Sequence, residues 1–297
     1  MNILCTGANG VVGRAVLNEL GKDKSNVVTC TVRDGDGNND FWYDWTSKSI
    51  NNHCYHEVDL LSPQHCLTMI NRLKPEVIYH LAATSTSYST AHTMWCNTNM
   101  TLNLLEACRF TGVKPRFVQA SSIVVENNPA SVYSVSKQAC EELVSVYTDL
   151  YESVDGICVR FPAVVGVGAK HGLLPDLIKK VLAEDDEIEL FGDSPGSIKP
   201  FIYSARLAKY LTRLTGKDVV TLCPINSISV KEVAEIVMKE LDIIKKIKWN
   251  PSKIWKGDQK MVYSDSRFVE YHFGDRFISQ GAIQAATQDI MKEQYGK

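Results

Sequence analysis

Tyr133 and Lys137 stand four residues apart, and Ser122 lies just upstream in "SSIVVENNPASVYSVSK" (121–137). On a helix, a four-residue spacing puts two side chains on one face. A free phenol titrates at about 10, too high to accept a proton at neutral pH. An ammonium held beside it favours the phenolate. Such a tyrosine can take a proton from an alcohol or return one to a carbonyl, help worth roughly 10²–10⁴-fold. A serine hydroxyl can bond the same substrate oxygen and fix its distance. The chain contains one Y-x-x-x-K match among twelve tyrosines.

A second constellation sits at the N-terminus. "TGANGVVG" carries Gly7, Gly10 and Gly13 between an apolar run and an amphipathic stretch. Glycine removes the Cβ atoms that would hold the backbone away from a pyrophosphate. A following helix N-terminus offers free N–H groups and a positive dipole end. In a strand–loop–helix context this pattern reads as a dinucleotide site, with Gly7, Asn9, Gly10, Val11, Val12 and Gly13 at the cofactor. The end of the next strand discriminates cofactors, since an acid there binds the ribose of NAD and an arginine accepts the 2′-phosphate of NADP. Here Val32 takes the acid's place and Arg33 follows. The expectation is therefore NADP, with NAD the second choice if Asp34 serves the ribose instead.

Elements that could position these groups follow from the apolar periodicity. Strand-like runs at 2–5, 26–34, 54–60, 76–83, 116–122 and 156–161 alternate with helical patterns from Val11, from Pro63 to Leu73, over 95–111 and over 131–150. Ser62-Pro63 reads as a helix cap with proline in the first helical position. Strands alternating with helices imply an α/β fold of Rossmann type, a doubly wound parallel sheet with ligands at the strand C-termini. Ser122 falls at such an end. Residues 1–165 are expected to form the dinucleotide-binding domain. Residues 166–297 are expected to form mainly a smaller substrate-binding lobe, with the chain near 200–225 returning to the sheet. The acidic run in "AEDDEIELFGDSPGSIKP" (183–200) reads as a solvated helix end, and "SVKEVAEIVMKEL" (229–241) as an amphipathic helix with a capping box.

Composition bounds the partners. The 297 residues carry a net charge of −2, which gives no electrostatic case for nucleic acid or an anionic membrane. No apolar run is long enough to span a bilayer. The nine cysteines are scattered without a CxxC pair, so reduced thiols and a cytoplasmic location are expected, with no metal.

Taken in order, "TGANGVVG", "HLAA" (80–83), "NTNMTLNLLEAC" (97–108), "FVQASS" (117–122), "PASVYSVSK" (129–137) and "WKGDQ" (255–259) resemble the motifs of extended short-chain dehydrogenases/reductases of the NAD-dependent epimerase/dehydratase family. That resemblance implies a catalytic tetrad of Asn97, Ser122, Tyr133 and Lys137, with Asn97 supporting a water-linked relay to Lys137. It implies a cofactor cleft lined by Asp59, Leu60, Leu81, Ala82, Ala83 and Phe161 besides the glycine loop. It implies a nucleotide-diphosphate sugar as substrate, touched by Thr84, Ser122, Lys199 and Lys256; Arg206 is added for its charge, as compensation for arginines the pattern has and this chain lacks. It also implies a homodimer joined through the helices near 95–111 and 133–150.

The chain departs from the family pattern at several points. Ile123 and Val124 stand where family dehydratases carry an Asp-Glu pair, and two apolar side chains cannot remove a C5 proton. Ala163 replaces an asparagine in "RFPAVVG" (160–166). Lys199 and Lys256 replace arginines, and so lose the bidentate fork that grips a diphosphate. The leading expectation is an NADPH-dependent reductase of a nucleotide-linked 4-keto sugar. The alternatives are a C4-epimerase with tightly held NAD and, in another class, a non-catalytic NAD(P)-sensing protein.

Overall fold

The computed structural model describes residues 1–32, 53–84, 91–126, 131–169, 171–253 and 267–296. The first half alternates strands with helices, except that the third strand follows the second directly among the described elements. Strand β1 (Asn2–Thr6) leads to helix α1 (Val11–Leu20), β2 (Val27–Val32), β3 (His53–Glu57), α2 (Pro63–Leu73), β4 (Val77–His80), α3 (Ala91–Thr111), β5 (Arg116–Ala120), α4 (Val132–Asp149) and β6 (Asp155–Arg160). The later elements are shorter: β7 (Ala163–Val165), α5 (Leu173–Leu182), β8 (Glu187–Phe191), β9 (Ile198–Lys199), β10 (Phe201–Tyr203), α6 (Ser204–Leu211), β11 (Asp218–Thr221), β12 (Ile228–Ser229), α7 (Val230–Glu240), β13 (Lys246–Asn250), α8 (Arg267–Phe273) and α9 (Ser279–Tyr295).

Seven strands form one sheet in the order β11-β6-β5-β4-β1-β2-β3. Every pairing in it is parallel. This is the doubly wound arrangement expected from the alternation. Strand order reverses between β1 and β4, and ligands bind at such a switch point, outside the strand C-termini. Apolar side chains cover both faces. One cluster joins Val16, Leu17 and Leu20 of α1 to Leu207, Tyr210 and Leu211 of α6. On the other face Leu104, Leu105 and Cys108 of α3 meet Ile70, Phe117 and Tyr147.

A third cluster belongs to the C-terminal part, where α5, α7 and α9 bring together Leu177, Ile178, Val233, Val237, Ile283 and Ile290. Three two-stranded ribbons accompany it: β7 with β10, β9 with β12, and β8 with β13. The acidic run follows the end of α5 and is exposed over 184–187. It then enters β8, a strand the sequence reading missed, with buried Ile188 and Leu190 alternating between more exposed neighbours. Its partner β13 lies about sixty residues away in the chain and pairs in parallel register, Ile188 against Ile247.

Local signals explain several boundaries. Ser62 accepts from the His65 N–H with proline in the first turn of α2, and Ser229 and Glu232 close a capping box on α7. Helix α3 begins at Ala91, four residues before the sequence expectation. The N-terminus of α4 is fixed by reciprocal bonds between Ser131 and Ser134, each 3.2 Å from hydroxyl oxygen to backbone nitrogen. That box holds the turn carrying Tyr133. Ser131→Ala should lower stability by about 1 kcal/mol, read as a lower urea midpoint at unchanged slope.

Candidate active site

The glycine loop crosses from β1 to α1 directly over the switch point. Gly7 has φ +68°, and a Cβ placed there would lie 2.6 Å from the Ala82 nitrogen. A Cβ on Gly13 would lie 2.3 Å from the Gly7 carbonyl oxygen. These two positions therefore admit no side chain. Gly10 is the N-cap of α1 and supplies no capping side chain. The first-turn N–H groups thus stay open to an anion, as a pyrophosphate cradle requires.

Beside this loop lies a cleft of about 390 Å³. Gly7, Asn9 and Gly10 form one side, with Asp59 and Leu60 beyond them and Leu81, Ala82, Ala83 and Thr84 along the strand ends. All of these are sequence candidates, Thr84 as a substrate contact and the others as cofactor contacts. Thr31, Val58, Leu61, Cys96 and Met100 also line it and were missed, because nothing in their spacing marks them. The Asp59 carboxylate accepts the Leu61 N–H at 2.9 Å, which ties down this turn. Val11 and Val12 open α1, half-buried. Phe161 stands apart from the cleft lining. It packs half-buried against the sheet core, and its carbonyl accepts the Ile123 N–H at 3.3 Å.

The four residues of the expected tetrad come from α3, the end of β5 and α4. Lys137 is 3% exposed, and its ammonium donates to the Ala120 carbonyl at 2.9 Å. The same nitrogen lies 5.7 Å from the centroid of the Tyr133 ring. Phenol and ammonium thus share one face of α4, as their spacing requires. Ser122 is half-buried at the C-terminal end of β5, and its hydroxyl accepts the Val124 N–H at 3.4 Å. Asn97 is buried, accepts the Thr84 N–H at 2.7 Å and donates to the Ser136 hydroxyl at 2.9 Å.

Behind Ser122 lies a polar support that sequence reasoning overlooked. Ser121 donates to the Glu141 carboxylate, and Arg160 grips that carboxylate through both oxygens, at 2.9 and 2.6 Å. Glu141 is 5% exposed, so the pairing offsets a large desolvation cost. Its position four residues after Lys137 was the one available signal. The carboxylate in turn raises the pKa of Arg160.

The remaining candidates lie elsewhere. Arg206 pairs with Asp275 at 2.7 Å and lines a separate cavity with Tyr203, Arg276 and Phe277, so the structure does not bring it to the cleft. Lys199 is half-buried on β9, outside the cleft lining. Arg33 and Lys256 lie outside the described residues. Among the described residues no cluster of His, Cys, Asp and Glu could hold a metal, and no helix is long and apolar enough to cross a membrane. None of the nine cysteines is in a disulfide.

Because a Cβ at position 13 meets backbone atoms rather than a movable side chain, Gly13→Ala should cost about 1–3 kcal/mol of stability. It should also weaken dinucleotide binding by at least about tenfold, measured by titrating the variant with NADH and following fluorescence.

Comparison with known proteins agrees with this geometry. GDP-mannose 3,5-epimerase 1 of Oryza sativa subsp. indica is 26% identical over 270 residues, spanning 80% of this chain and 68% of that protein. The UDP-glucose 4-epimerase of Thermus thermophilus, solved in complex with NAD, superposes with a TM-score of 0.85 at 20% identity and covers 99% of this chain and 100% of that one. A UDP-glucose 4-epimerase from Thermotoga maritima, solved with UDP-glucose, gives 0.84 at 19% identity, covering 98% of this chain and 99% of that one. These structures share the fold. The model of the NAD dependent epimerase/dehydratase family matches residues 3–220, and the chain belongs to that family of short-chain dehydrogenase/reductase-type enzymes.

Proposed function

We propose that this enzyme is a nucleotide-sugar epimerase that uses NAD, acting by transient oxidation at C4 of the sugar. The observation that carries the reading is the side-chain-free loop at Gly7 and Gly13 beside a cleft, with the Tyr133–Lys137 pair on α4. The cradle left by the glycines and the uncapped first turn of α1 fit a dinucleotide pyrophosphate. Gly7, Asn9, Gly10, Asp59, Leu60, Leu81, Ala82 and Ala83 would hold the cofactor. NAD is favoured over the NADP expected from Arg33, because NAD is the cofactor named for the Thermus complex.

When bound, NAD supplies a hydride acceptor that becomes the donor for the return step. The protein's residues handle the proton and the geometry. Tyr133 takes the proton of the sugar 4-hydroxyl as that carbon becomes a carbonyl, and returns it after the sugar has turned. Lys137 stabilises the phenolate from a position fixed by the Ala120 carbonyl. Ser122 bonds the reacting oxygen, and Asn97 supports the relay to Lys137. Ile123, buried, and Val124 cannot exchange a C5 proton, which argues against 4,6-dehydration. We assign residues 1–165 mainly to the cofactor and 166–297 mainly to the sugar nucleotide, with Lys199 and Lys256 as candidate diphosphate contacts. Trp95, Phe110, Val135 and Val146 on α3 and α4 are exposed, which supports a homodimer through those helices. Thiols outside any disulfide suit a reducing compartment such as the cytoplasm.

Arg33, which follows Val32 in the sequence, still favours a second reading, NADPH-dependent reduction of a 4-keto sugar. An epimerase should purify with NAD bound and interconvert UDP-hexoses with no net change in the absorbance of reduced nicotinamide. Stoichiometric loss of NADPH would select the reductase instead. In either case Tyr133→Phe should retain cofactor affinity while kcat falls by roughly 10²-fold or more; unchanged turnover would remove Tyr133 from the chemistry.

A further inference from the structure

His80 closes β4 and precedes four residues that line the cleft, Leu81 to Thr84, yet nothing above gives it a task. Its ring is 1% exposed and packs at 6.0 Å from the Phe117 ring. Nδ1 lies 2.7 Å from the Thr6 hydroxyl, and Nε2 lies 3.2 Å from the Thr101 hydroxyl. The bonds around these hydroxyls fix the proton positions. Thr6 accepts the Ala82 N–H at 3.2 Å, so its own proton needs an acceptor. Among the described residues the acceptor bonded to it is His80 Nδ1. A neutral imidazole that accepts on one nitrogen carries its proton on the other. Nε2–H therefore donates to Thr101, whose hydroxyl proton points to the Asn97 carbonyl at 3.1 Å. All the bonds then run one way, from the Ala82 N–H through Thr6, His80 and Thr101 to Asn97. The opposite tautomer would leave the Thr6 proton buried without a partner and turn Thr101 away from Asn97, each at a cost.

This chain of bonds spans the gap between two walls of the cleft. Leu81 to Thr84 form one, and α3, with Cys96 and Met100, forms the other. The Thr84 N–H bond to Asn97 closes the same gap at a second point. We propose that His80 is a positioning residue, a neutral Nε2–H imidazole that holds these two walls at a fixed separation; its effect on cofactor rests on reading the cleft as the NAD site. Burial, and then the Lys137 ammonium on α4, push its pKa down to about 3, which suits a ring that stays neutral. Cys140, also on α4, is the other titratable group on this network; its thiol lies 3.3 Å from the Thr101 hydroxyl and donates to the same Asn97 carbonyl at 3.4 Å.

Two measurements test this. Long-range ¹H–¹⁵N NMR of the full chain, with His80 assigned by difference from His80→Phe, should show a bare Nδ1 and a protonated Nε2 from about pH 5 to pH 8. An Nδ1–H tautomer, or a ring that takes a second proton in that range, overturns the proposal. The second measurement is NADH affinity by fluorescence. His80→Phe keeps an aromatic ring beside Phe117 but removes both bonds, so the folded variant should bind about tenfold more weakly. A lower Tm with unchanged Kd would mean a purely structural histidine and overturn the proposal. Should that variant not fold, Thr101→Val deletes the acceptor of the Nε2 proton and must show the same weakening. Wild-type protein that binds neither NADH nor NADPH would overturn the cofactor reading, while the tautomer measurement still decides the state of the ring.

Discussion

The site depends on how closely two strand ends approach at the switch point. Gly7 ends the first strand's turn against the backbone of Ala82, which follows the fourth, at a distance that excludes even a methyl group. The approach is possible because β1 and β4 are adjacent and parallel, in register from Ile3 against Val77 to Thr6 against His80. Two loops that belong to strands more than seventy residues apart in the chain therefore leave the sheet side by side. Gly13 then lets α1 settle over the Gly7 carbonyl. Cradle, cleft and helix N-terminus follow from that one close contact.

Buried polar groups do the remaining positioning, and each is matched by a partner. Lys137 is anchored by the Ala120 carbonyl, Asn97 by Thr84 and Ser136, and Glu141 by Arg160 and Ser121. Most of these bonds join a helix to the end of a strand, and the Asn97–Ser136 bond joins α3 to α4. The Tyr133–Lys137 face of α4 is thus set against β5 and β6 by directional bonds as well as by apolar packing, which would tolerate sliding.

Much of this was legible in the sequence, for physical reasons. A strand buried on both faces reads as a continuous apolar run, and a glycine loop before a helix has few other uses. Ser62-Pro63 and Ser229–Glu232 marked their helices because capping is local chemistry. Pairing across long separations was not legible: β8 lies in a charged stretch, and only its contact with β13 makes it a strand. The same holds for the bonds among Thr6, His80 and Thr101, which lie on three separate elements until the fold joins them. Arg206 shows the converse, since its charge suggested a substrate contact and Asp275 takes it instead.

The seventh strand has a consequence for how the chain can be divided. Strand β11 arises after β7 to β10 and α6 have already been laid down, yet it pairs with β6, from Asp218 against Ile157 to Thr221 against Arg160. A fragment stopping near residue 165 would leave the β6 edge unpaired, with its N–H and C=O groups open to strands of other molecules. It would also strip the α6 cover from α1. Although the two halves carry different ligands in the proposed reading, the chain stitches them together, and a truncated N-terminal half would be prone to aggregate.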